Sequence, residues 1–420
     1  MPGTSGGLKA AGAGAIALVA SLTFLYAVSQ FLRNSVAVIA PDLAVEMSLS
    51  AADLGLLSSA FFLVFAAVQL PLGIALDRFG PKKCMLVAAG ITVAGILVFS
   101  FATGTFTLVA GRALMGLGCS VSLMGPLALY ARRFSSERFA TLTGLQIGLG
   151  SIGNLFATAP LAFAAASFGW RGSFLGVAVI TLLAALAVAF VVKSDSAGPA
   201  TSEAKETFAE NLAGILAVFR TPSVWRLYAM QLAGYSSFTL VIGLWGGPYL
   251  THIYGFDLTA RGELLLVAVI GLVVGSIAWG PTDRLFRSYK RPVLLGAGLT
   301  ASMLLVLAIV GALPGPMLTL WFGAYGLLSA FVAVLVAQGR TLFPPHLVGR
   351  GLTLLNTGTM GGVFLTQSIS GLVIDLFEKG PGGSYPLDAY RLVFALQAGL
   401  ILLAAWVYWQ AADARRPVKP

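Results

Sequence analysis

The feature that most constrains this chain is a series of long apolar runs. Twelve of them recur along the 420 residues. About 20 apolar residues in a helix cross the roughly 30 Å hydrocarbon core of a bilayer. The runs cover approximately residues 14–39, 53–75, 84–103, 107–131, 140–166, 171–192, 223–250, 261–281, 292–312, 316–340, 350–374 and 390–411. Strands with open edges would leave backbone groups unpaired in lipid, so the sequence predicts an all-α membrane protein with 12 transmembrane helices.

Composition excludes most other classes. Apolar residues make up 58% of the chain and charged residues 10%, against roughly 45–50% and about 25% in soluble domains. The two cysteines, Cys84 and Cys119, lie in or beside apolar runs, which argues against a disulfide scaffold. The sequence contains no phosphate-binding loop, metal-ligand cluster or nucleophile–base motif. We therefore expect no enzymatic activity, no catalytic residues, no cofactor and no metal.

The basic residues indicate which side of the membrane each loop faces. Most of the 26 lie in loops that share a side with the N-terminus. The opposite loops hold Arg171, Arg261, Lys379 and Arg391, while Arg33 and Arg112 lie inside runs. This asymmetry predicts that both termini are cytoplasmic. It also accounts for the net charge of +10 without a nucleic-acid partner. We expect a multi-pass monomer in the lipid bilayer of a bacterial inner (plasma) membrane.

The chain divides into two similar halves. Residues 1–192 are predicted to form an N-terminal six-helix bundle, and residues 223–420 a C-terminal one. Residues 193–222 between them are predicted to be a cytoplasmic linker with an amphipathic helix. The pair Asp77-Arg78 after run two recurs as Asp283-Arg284 after run eight. Two six-helix repeats in the same orientation, with a substrate site between them, are a transporter architecture.

Two motifs carry a resemblance to a known family. The segment Gly73-Ile-Ala-Leu-Asp77-Arg78-Phe-Gly80-Pro-Lys-Lys resembles the loop between helices two and three of the major facilitator superfamily, and Asp283-Arg284 resembles its second copy. The Leu108-x3-Arg112-x3-Gly-x-Gly segment resembles that family's helix-four motif. The resemblance covers essentially the whole chain and implies its fold. It implies gating or motif roles for Gly73, Asp77, Arg78, Gly80, Arg112, Asp283 and Arg284. For Arg112, either snorkelling to the interface or a cavity role fits the sequence.

Arg33 is the strongest candidate for binding substrate. If run one ends at Pro41, Arg33 lies roughly 12 Å inside the hydrocarbon core. Tyr26, Gln30 and Arg33 share one helical face, which offers a hydroxyl, an amide and a guanidinium suited to carboxylate or phosphate. The segment also resembles helix one of the organophosphate/phosphate antiporters, whose arginine at this place binds the anion. Their second arginine is replaced here by Thr239, which favours a monoanion. The alternative role for Arg33 is a structural bond to neighbouring carbonyl groups.

Other polar and aromatic residues in the runs are weaker candidates for substrate contact, because each is also suited to joining helices. They are Asn34, Gln146, Gln231, Tyr235, Trp245, Tyr325 and Asn356. Gly246-Gly247-Pro248 is a candidate bending gate. No carboxylate or imidazole lies near the centre of a run. Any coupling proton would use edge groups such as Asp53 or Glu263, or the substrate's own carboxylate, and exchange for another solute is also open.

The sequence therefore predicts a secondary active transporter that moves a small organic anion, such as a carboxylate metabolite, by alternating access. One alternative is a drug or metabolite exporter. The segment from Gly148 to Asn154 lacks the Gly-Pro pair of the proton-driven drug exporters, which counts against that alternative. A second alternative is a membrane sensor that binds a ligand without transporting it. The sequence contains no large soluble output domain of the kind such a sensor would use.

Overall fold

The computed structural model describes residues 5–192, 224–342, 348–380, 383–411 and 413. These residues are almost entirely helical and confirm the predicted all-α fold of twelve spans. The helices form twelve runs, each of one to three segments. They are α1 (Ser5–Asn34, Val36–Glu46), α2 (Ala51–Ala67, Gln69–Phe79), α3 (Pro81–Ser100), α4 (Thr105–Cys119, Val121–Arg133), α5 (Ser136–Gly150, Ile152–Phe156, 159–168), α6 (170–191), α7 (Val224–Leu240, Val241–Trp245, Gly246–Tyr254), α8 (Leu258–Trp279, Thr282–Leu285), α9 (Lys290–Val310), α10 (Gly315–Ser329, Val332–Leu342), α11 (Val348–Ile374) and α12 (Leu387–Trp409).

Several spans are interrupted rather than continuous. Gly169, with a φ of 69°, bends the chain between α5 and α6. Among the described residues, nine helices are long and apolar enough to cross a membrane, and a tenth if the two bent segments of α2 form one span. The other two runs are α5, whose segments are short, and α11, which is rich in glycine, serine and threonine. Those residues suit α11 to packing among helices, because small residues permit close approach.

The helix contacts follow the sequence repeat. Within the first half α2 packs on α4, α3 on α6 and α1 on α5; the equivalent pairs α8 with α10, α9 with α12 and α7 with α11 pack in the second half. The halves meet through α2 with α11, α5 with α8, and α1 with α7. Because α2–α11 and α8–α5 are equivalent pairs under the repeat, the interface has the same internal symmetry.

The two halves are packed together at one end of the bundle. We call this end the closed face; it carries the α1–α2, α7–α8 and α11–α12 loops. Here Gly55 lies against Gly371, and Gly247 against the carbonyl of Ala37. At the opposite end, the open face, the segments Ser136–Gly150 and Val332–Leu342 make no comparable contact across the halves within the described residues.

One expectation from the sequence differs from the structure, and another concerns residues outside those described. Span one does not stop at Pro41 but continues to Glu46, which places Arg33 deeper in the helix than its distance from Pro41 indicated. The amphipathic helix expected in the linker lies outside the described residues.

Substitution of Gly326 tests the close packing of α8 and α10. A Cβ atom at Gly326 would overlap the Ala268 backbone carbonyl, whereas one at Gly298 on α9 would meet open space. We expect Gly326→Val to lower the free energy of unfolding by about 1–3 kcal/mol, the usual cost of overpacking. Thermal unfolding in detergent would show this as a lower Tm. The control Gly298→Val should leave the Tm nearly unchanged, and equal Tm values for the two variants would contradict the packing described.

Candidate functional site

The site is organised around a break in α1. Ser35 separates the two helical segments of α1. Six residues later Pro41 provides no N–H group, so the carbonyl of Ala37 lacks its usual helical donor. Gly247 of α7 lies against this carbonyl, where any side chain would collide. The middle of α1 therefore contains backbone oxygen atoms that need partners from other helices, because such groups are costly to leave unpaired in a membrane.

Arg112 of α4 supplies one of these partners. Its side chain is 0% exposed, and its guanidinium lies over the ring of Phe61, 4.8 Å from the centroid. Nη1 of Arg112 donates to the Leu32 carbonyl at 2.6 Å, while Nε and Nη2 are buried without a hydrogen-bond partner among the described residues. In this structure Arg112 therefore neither snorkels to the interface nor lines an open cavity, the two readings that the sequence allowed.

Arg261 of α8 binds the same stretch of α1 from the other half of the protein. It is 3% exposed; its Nε donates to the Val38 carbonyl at 2.7 Å, and Nη1 donates to Thr251 at 3.1 Å. Nη2 forms an ion pair with Asp42 of α1. The sequence assigned Arg261 to an outer loop group, but the structure buries it between the halves.

Arg33, on α1 itself, is different from both. It is 6% exposed, its guanidinium lies 4.6 Å from the centroid of the Phe65 ring, and Nε has no hydrogen-bond partner among the described residues. The charge of Arg33 interacts electrostatically with Tyr26, and Tyr26 interacts in turn with Tyr235 of α7. The structure thus brings together the α1 and α7 faces that the sequence predicted. Within the described residues Arg33 makes no hydrogen bond to a carbonyl group, so the structural role that the sequence also allowed for Arg33 has no bond to support it.

Three predicted amide side chains line this region. Gln30 has a buried Oε1 atom without a donor. Gln231 donates from Nε2 to the Thr359 hydroxyl at 2.8 Å, and its Oε1 is buried without a donor. Asn34 donates to Asn154 of α5 at 2.8 Å, and its Oδ1 is likewise unpaired.

A polar layer closes the region toward the closed face. Gln367 of α11, a residue outside the main predicted set, donates from Nε2 to the Thr239 carbonyl at 3.1 Å, and its Oε1 is buried without a donor. A Cβ atom at Gly243 would lie 3.1 Å from Asn34 Oδ1 and 3.6 Å from Gln367 Nε2. Gly243 belongs to the π-helical turn Val241–Trp245, just before the predicted bending gate. Such turns often occur at functional sites.

Three other predicted site residues use their polar groups in hydrogen bonds to neighbouring helices. Gln146 accepts from Thr23 and Tyr130 and donates to the Leu22 carbonyl. The Trp245 indole donates to Ser370 at 2.7 Å, and the Tyr325 hydroxyl donates to the Ser237 carbonyl at 2.7 Å. Asn356 is half-buried on α11. The structure therefore does not bring Gln146, Trp245 or Tyr325 into the group around Arg33.

A cleft of about 630 Å³ lies between α1 and α5 and borders the same region at Ala27 and Gly153. Its other lining residues are apolar apart from Thr23. It contains no charged side chain, so it offers no partner for an anion.

A second polar contact joins the halves at the closed face. The N–H of Ala51, at the start of α2, donates to the Tyr385 hydroxyl at 3.0 Å and to Asp375 at 3.2 Å. Tyr385 in turn donates to Asp375 at 2.5 Å. Burial and the neighbouring Asp375 carboxylate raise the pKa of Tyr385, so its hydroxyl stays protonated and able to donate. Lys379 adds a bond to the Leu49 carbonyl at 3.3 Å.

The motif residues other than Arg112 lie at the open face, away from Arg33. Asp77 forms an ion pair of 3.3 Å with Arg132 of α4, and both side chains are largely exposed. Gly80 ends α2 with a φ of 81°, a conformation that favours glycine, and Gly73 is exposed. The second copy, Asp283 and Arg284, lines a small cavity of about 180 Å³ against α10.

Sequence comparison finds relatives that are transporters. The chain is 24% identical to the "Probable sulfoacetate transporter SauU" of Cupriavidus necator over 68% of this chain and 70% of that protein. It is 28% identical to "Monocarboxylate transporter 11" of Homo sapiens over 93% and 82% of the two chains. It is 27% identical to the "Gentisate transporter" of Corynebacterium glutamicum over 79% and 75%.

Structure and family comparisons agree with one another. The nucleoside transporter NupG superposes with a TM-score of 0.73 at 13% identity, covering 93% of this chain and 99% of that one. A D-xylose–proton symporter superposes with a TM-score of 0.72 at 14% identity, covering 94% and 98%. These likenesses concern the fold. A sequence profile described as "Major Facilitator Superfamily" matches residues 22–286.

Replacing Arg261 tests whether it holds the closed face together. We expect Arg261→Gln to raise the maleimide-labelling rate of a cysteine placed at Ser59, in the buried α2–α11 interface, about tenfold, or about 1.4 kcal/mol. The reason is that the variant loses the ion pair and the bond to α1. Labelling would be followed by mass spectrometry, with Cys84 and Cys119 replaced.

The matched control for this experiment is Arg391→Gln. Arg391 also binds carbonyl groups and an aspartate, but all of them belong to the second half. A labelling rate for Arg261→Gln no higher than that of Arg391→Gln would contradict the role assigned to Arg261.

Proposed function

The chain belongs to the major facilitator superfamily, and we propose that it is a transporter of a small organic monoanion. In this proposal the carboxylate or equivalent anionic group binds Arg33, and the phenol groups of Tyr26 and Tyr235 flank it. Gln30 and Gln231 contribute further polar contacts.

The observation that carries the proposal is the contrast among three buried arginines. Arg112 and Arg261 each donate hydrogen bonds to α1 carbonyl groups, and Arg261 also has Asp42. Arg33 and Arg112 both lie over an aromatic ring and both have buried nitrogen atoms without a partner, but only Arg33 makes no hydrogen bond or ion pair at all within the described residues. A buried charge without a counter-ion is costly, so membrane proteins keep such groups mainly for function. A guanidinium presents paired donors that match a carboxylate.

The relatives give independent support. Sulfoacetate, monocarboxylates and gentisate, the compounds in their names, are all organic anions. Identities of 24–28% do not fix a substrate, so the class rests on Arg33 and on this shared character. The single cation of the group favours one negative charge over two.

Movement of the halves would provide access from alternate sides. The closed face is held by Arg261, by the Tyr385–Asp375 contact and by glycine packing, and the opposite face lacks comparable contacts within the described residues. With both termini cytoplasmic, as the basic residues predict, the open face is the cytoplasmic one. Location in a bacterial plasma membrane, a monomeric state, and coupling to a proton or an exchanged solute remain part of the proposal.

Counterflow in proteoliposomes tests the anion site without assuming a direction of transport. We expect the wild type to exchange at least one labelled monocarboxylate from a panel of small acids. Arg33→Gln should lower the rate at least tenfold, because the cation proposed to bind the anion is lost. Arg33→Lys should retain a fraction of the rate, since it keeps the charge but not the paired donors. Wild-type rates for both variants across the panel would contradict the assignment.

A disulfide across the halves tests the proposed movement. The hydroxyl oxygen atoms of Ser59 and Ser368 are 2.8 Å apart, on α2 and α11. Cysteines at both positions, with Cys84 and Cys119 replaced, should form a disulfide upon oxidation and stop counterflow, and reduction should restore it. Each single-cysteine variant serves as a control. Full counterflow in the oxidised double variant would show that the closed face need not open.

A further inference from the structure

We propose that the substrate is a hydroxycarboxylate, or an acid with an N–H group in the same position, whose donor lies within a few bonds of the carboxylate. This inference rests on the anion site proposed for Arg33 and adds a second recognition element, the unpaired oxygen of Gln30. It identifies the substrate by the hydrogen bonds that the buried side chains leave unmade.

Several buried acceptor atoms in the region around Arg33 receive no hydrogen bond from the described protein. Four side-chain oxygen atoms are buried there without a donor; one is Gln231 Oε1, and the other three we call the acceptor group. They are Gln30 Oε1, Asn34 Oδ1 and Gln367 Oε1. Each buried acceptor without a partner costs about 1–3 kcal/mol, so a ligand that donates to one gains what the free protein lacks.

The direction of the fixed amides follows from their partners. Gln367 must point its nitrogen at the Thr239 carbonyl, because a carbonyl only accepts, and this leaves Oε1 as the unpaired atom. The same reasoning fixes the amide of Gln231. The Thr359 hydroxyl donates its proton to the Leu355 carbonyl, so it accepts from Gln231 Nε2. Gln231 Oε1 is therefore the unpaired atom.

Gln30 is the member of the acceptor group that shares a helical face with Arg33, three residues before it. Residues three apart on a helix have Cβ atoms about 5–6 Å apart and are neighbours on its surface. A guanidinium has only donors, so an amide beside it is stabilised with its oxygen toward the cation. A carboxylate bound to Arg33 therefore places nearby substituents next to the Gln30 oxygen. A hydroxyl on the second or third carbon of the acid lies within that reach.

An acid without such a donor would fill the same space less favourably. It would leave Gln30 Oε1 without a donor while excluding water from it, and sites that bind a hydroxyl discriminate strongly against analogues that lack one. The protein is therefore expected to distinguish two acids that differ only in a hydroxyl group.

Matched pairs of acids test this inference. The pairs are glycolate with acetate, lactate with propionate, and 3-hydroxybutyrate with butyrate, measured as competitors of counterflow. We expect the hydroxylated member of at least one pair to compete at least tenfold better in the wild type. In Gln30→Met, which approximately keeps the size of the side chain but removes the acceptor, the ratio should fall toward one, because the hydroxylated acid loses its advantage over the plain acid.

Gln146→Met is the matched control. Gln146 is a buried glutamine on α5, the helix that packs on α1, but its amide forms hydrogen bonds with Leu22, Thr23 and Tyr130. It should lower the Tm and preserve the ratio. Gln30 makes no hydrogen bond within the described residues, and its buried oxygen is unpaired, so Gln30→Met should not lower the Tm.

The possible results separate this inference from the proposed function. A wild-type ratio near one, as expected if water alone fills the acceptor group, overturns the inference and leaves the Arg33 site standing. An unchanged ratio in Gln30→Met also overturns it. If no carboxylate competes in any pair, the proposed function fails, and the inference fails with it.

Discussion

The burial of positive charge beside a broken helix is the constraint on which the rest of this structure depends. The break at Ser35 and the proline at position 41 leave α1 with backbone oxygen atoms that need donors. Arg112 from the same half donates to the Leu32 carbonyl, Arg261 from the opposite half donates to the Val38 carbonyl, and the Ala37 carbonyl that Pro41 frees lies against Gly247. The two arginines thereby secure the helix that carries Arg33. Arg33 in turn is held in place by its own backbone and by the ring of Phe65.

The same interactions link binding to the packing of the halves. Arg261 contacts α1 five residues beyond Arg33, at Val38, and nine residues beyond it, at Asp42. Gly247 meets Ala37 on the same stretch of α1, and the π-helical turn of α7 lies beside Asn34. A ligand that shifts α1 or α7 at the level of Arg33 therefore acts directly on the contacts that close one face. Under the proposed function, this arrangement couples occupancy of the site to opening.

Much of this could be predicted from the sequence, and the limits have physical causes. Span positions follow from hydropathy, and the Tyr26–Gln30–Arg33 face follows from helical periodicity, because both are local properties. The partners of buried polar groups are not local. Gln146 and Asn34 have equivalent signals in the sequence, yet Gln146 is used to join three helices and Asn34 retains an unpaired oxygen.

Arg261 illustrates the same limit for charge. Its position at the start of an apolar run was compatible with a loop cation, and only the approach of α1 from the other half buries it. Gln367 shows the same limit for an amide. Its oxygen is left unpaired because its nitrogen binds the Thr239 carbonyl of another helix, a contact that the sequence does not reveal. The sequence around Pro41 does not show that α1 continues to Glu46, or that the carbonyl freed by the proline lies against Gly247 of another helix.

The most direct test of the central claim is a structure of the purified protein with an iodinated carboxylate that competes in counterflow. Anomalous scattering would locate the iodine and hence the acid. The account predicts that the carboxylate lies within hydrogen-bonding distance of the Arg33 guanidinium, between α1 and α7. An acid bound elsewhere, with Arg33 donating to a backbone carbonyl of its own protein, would contradict it.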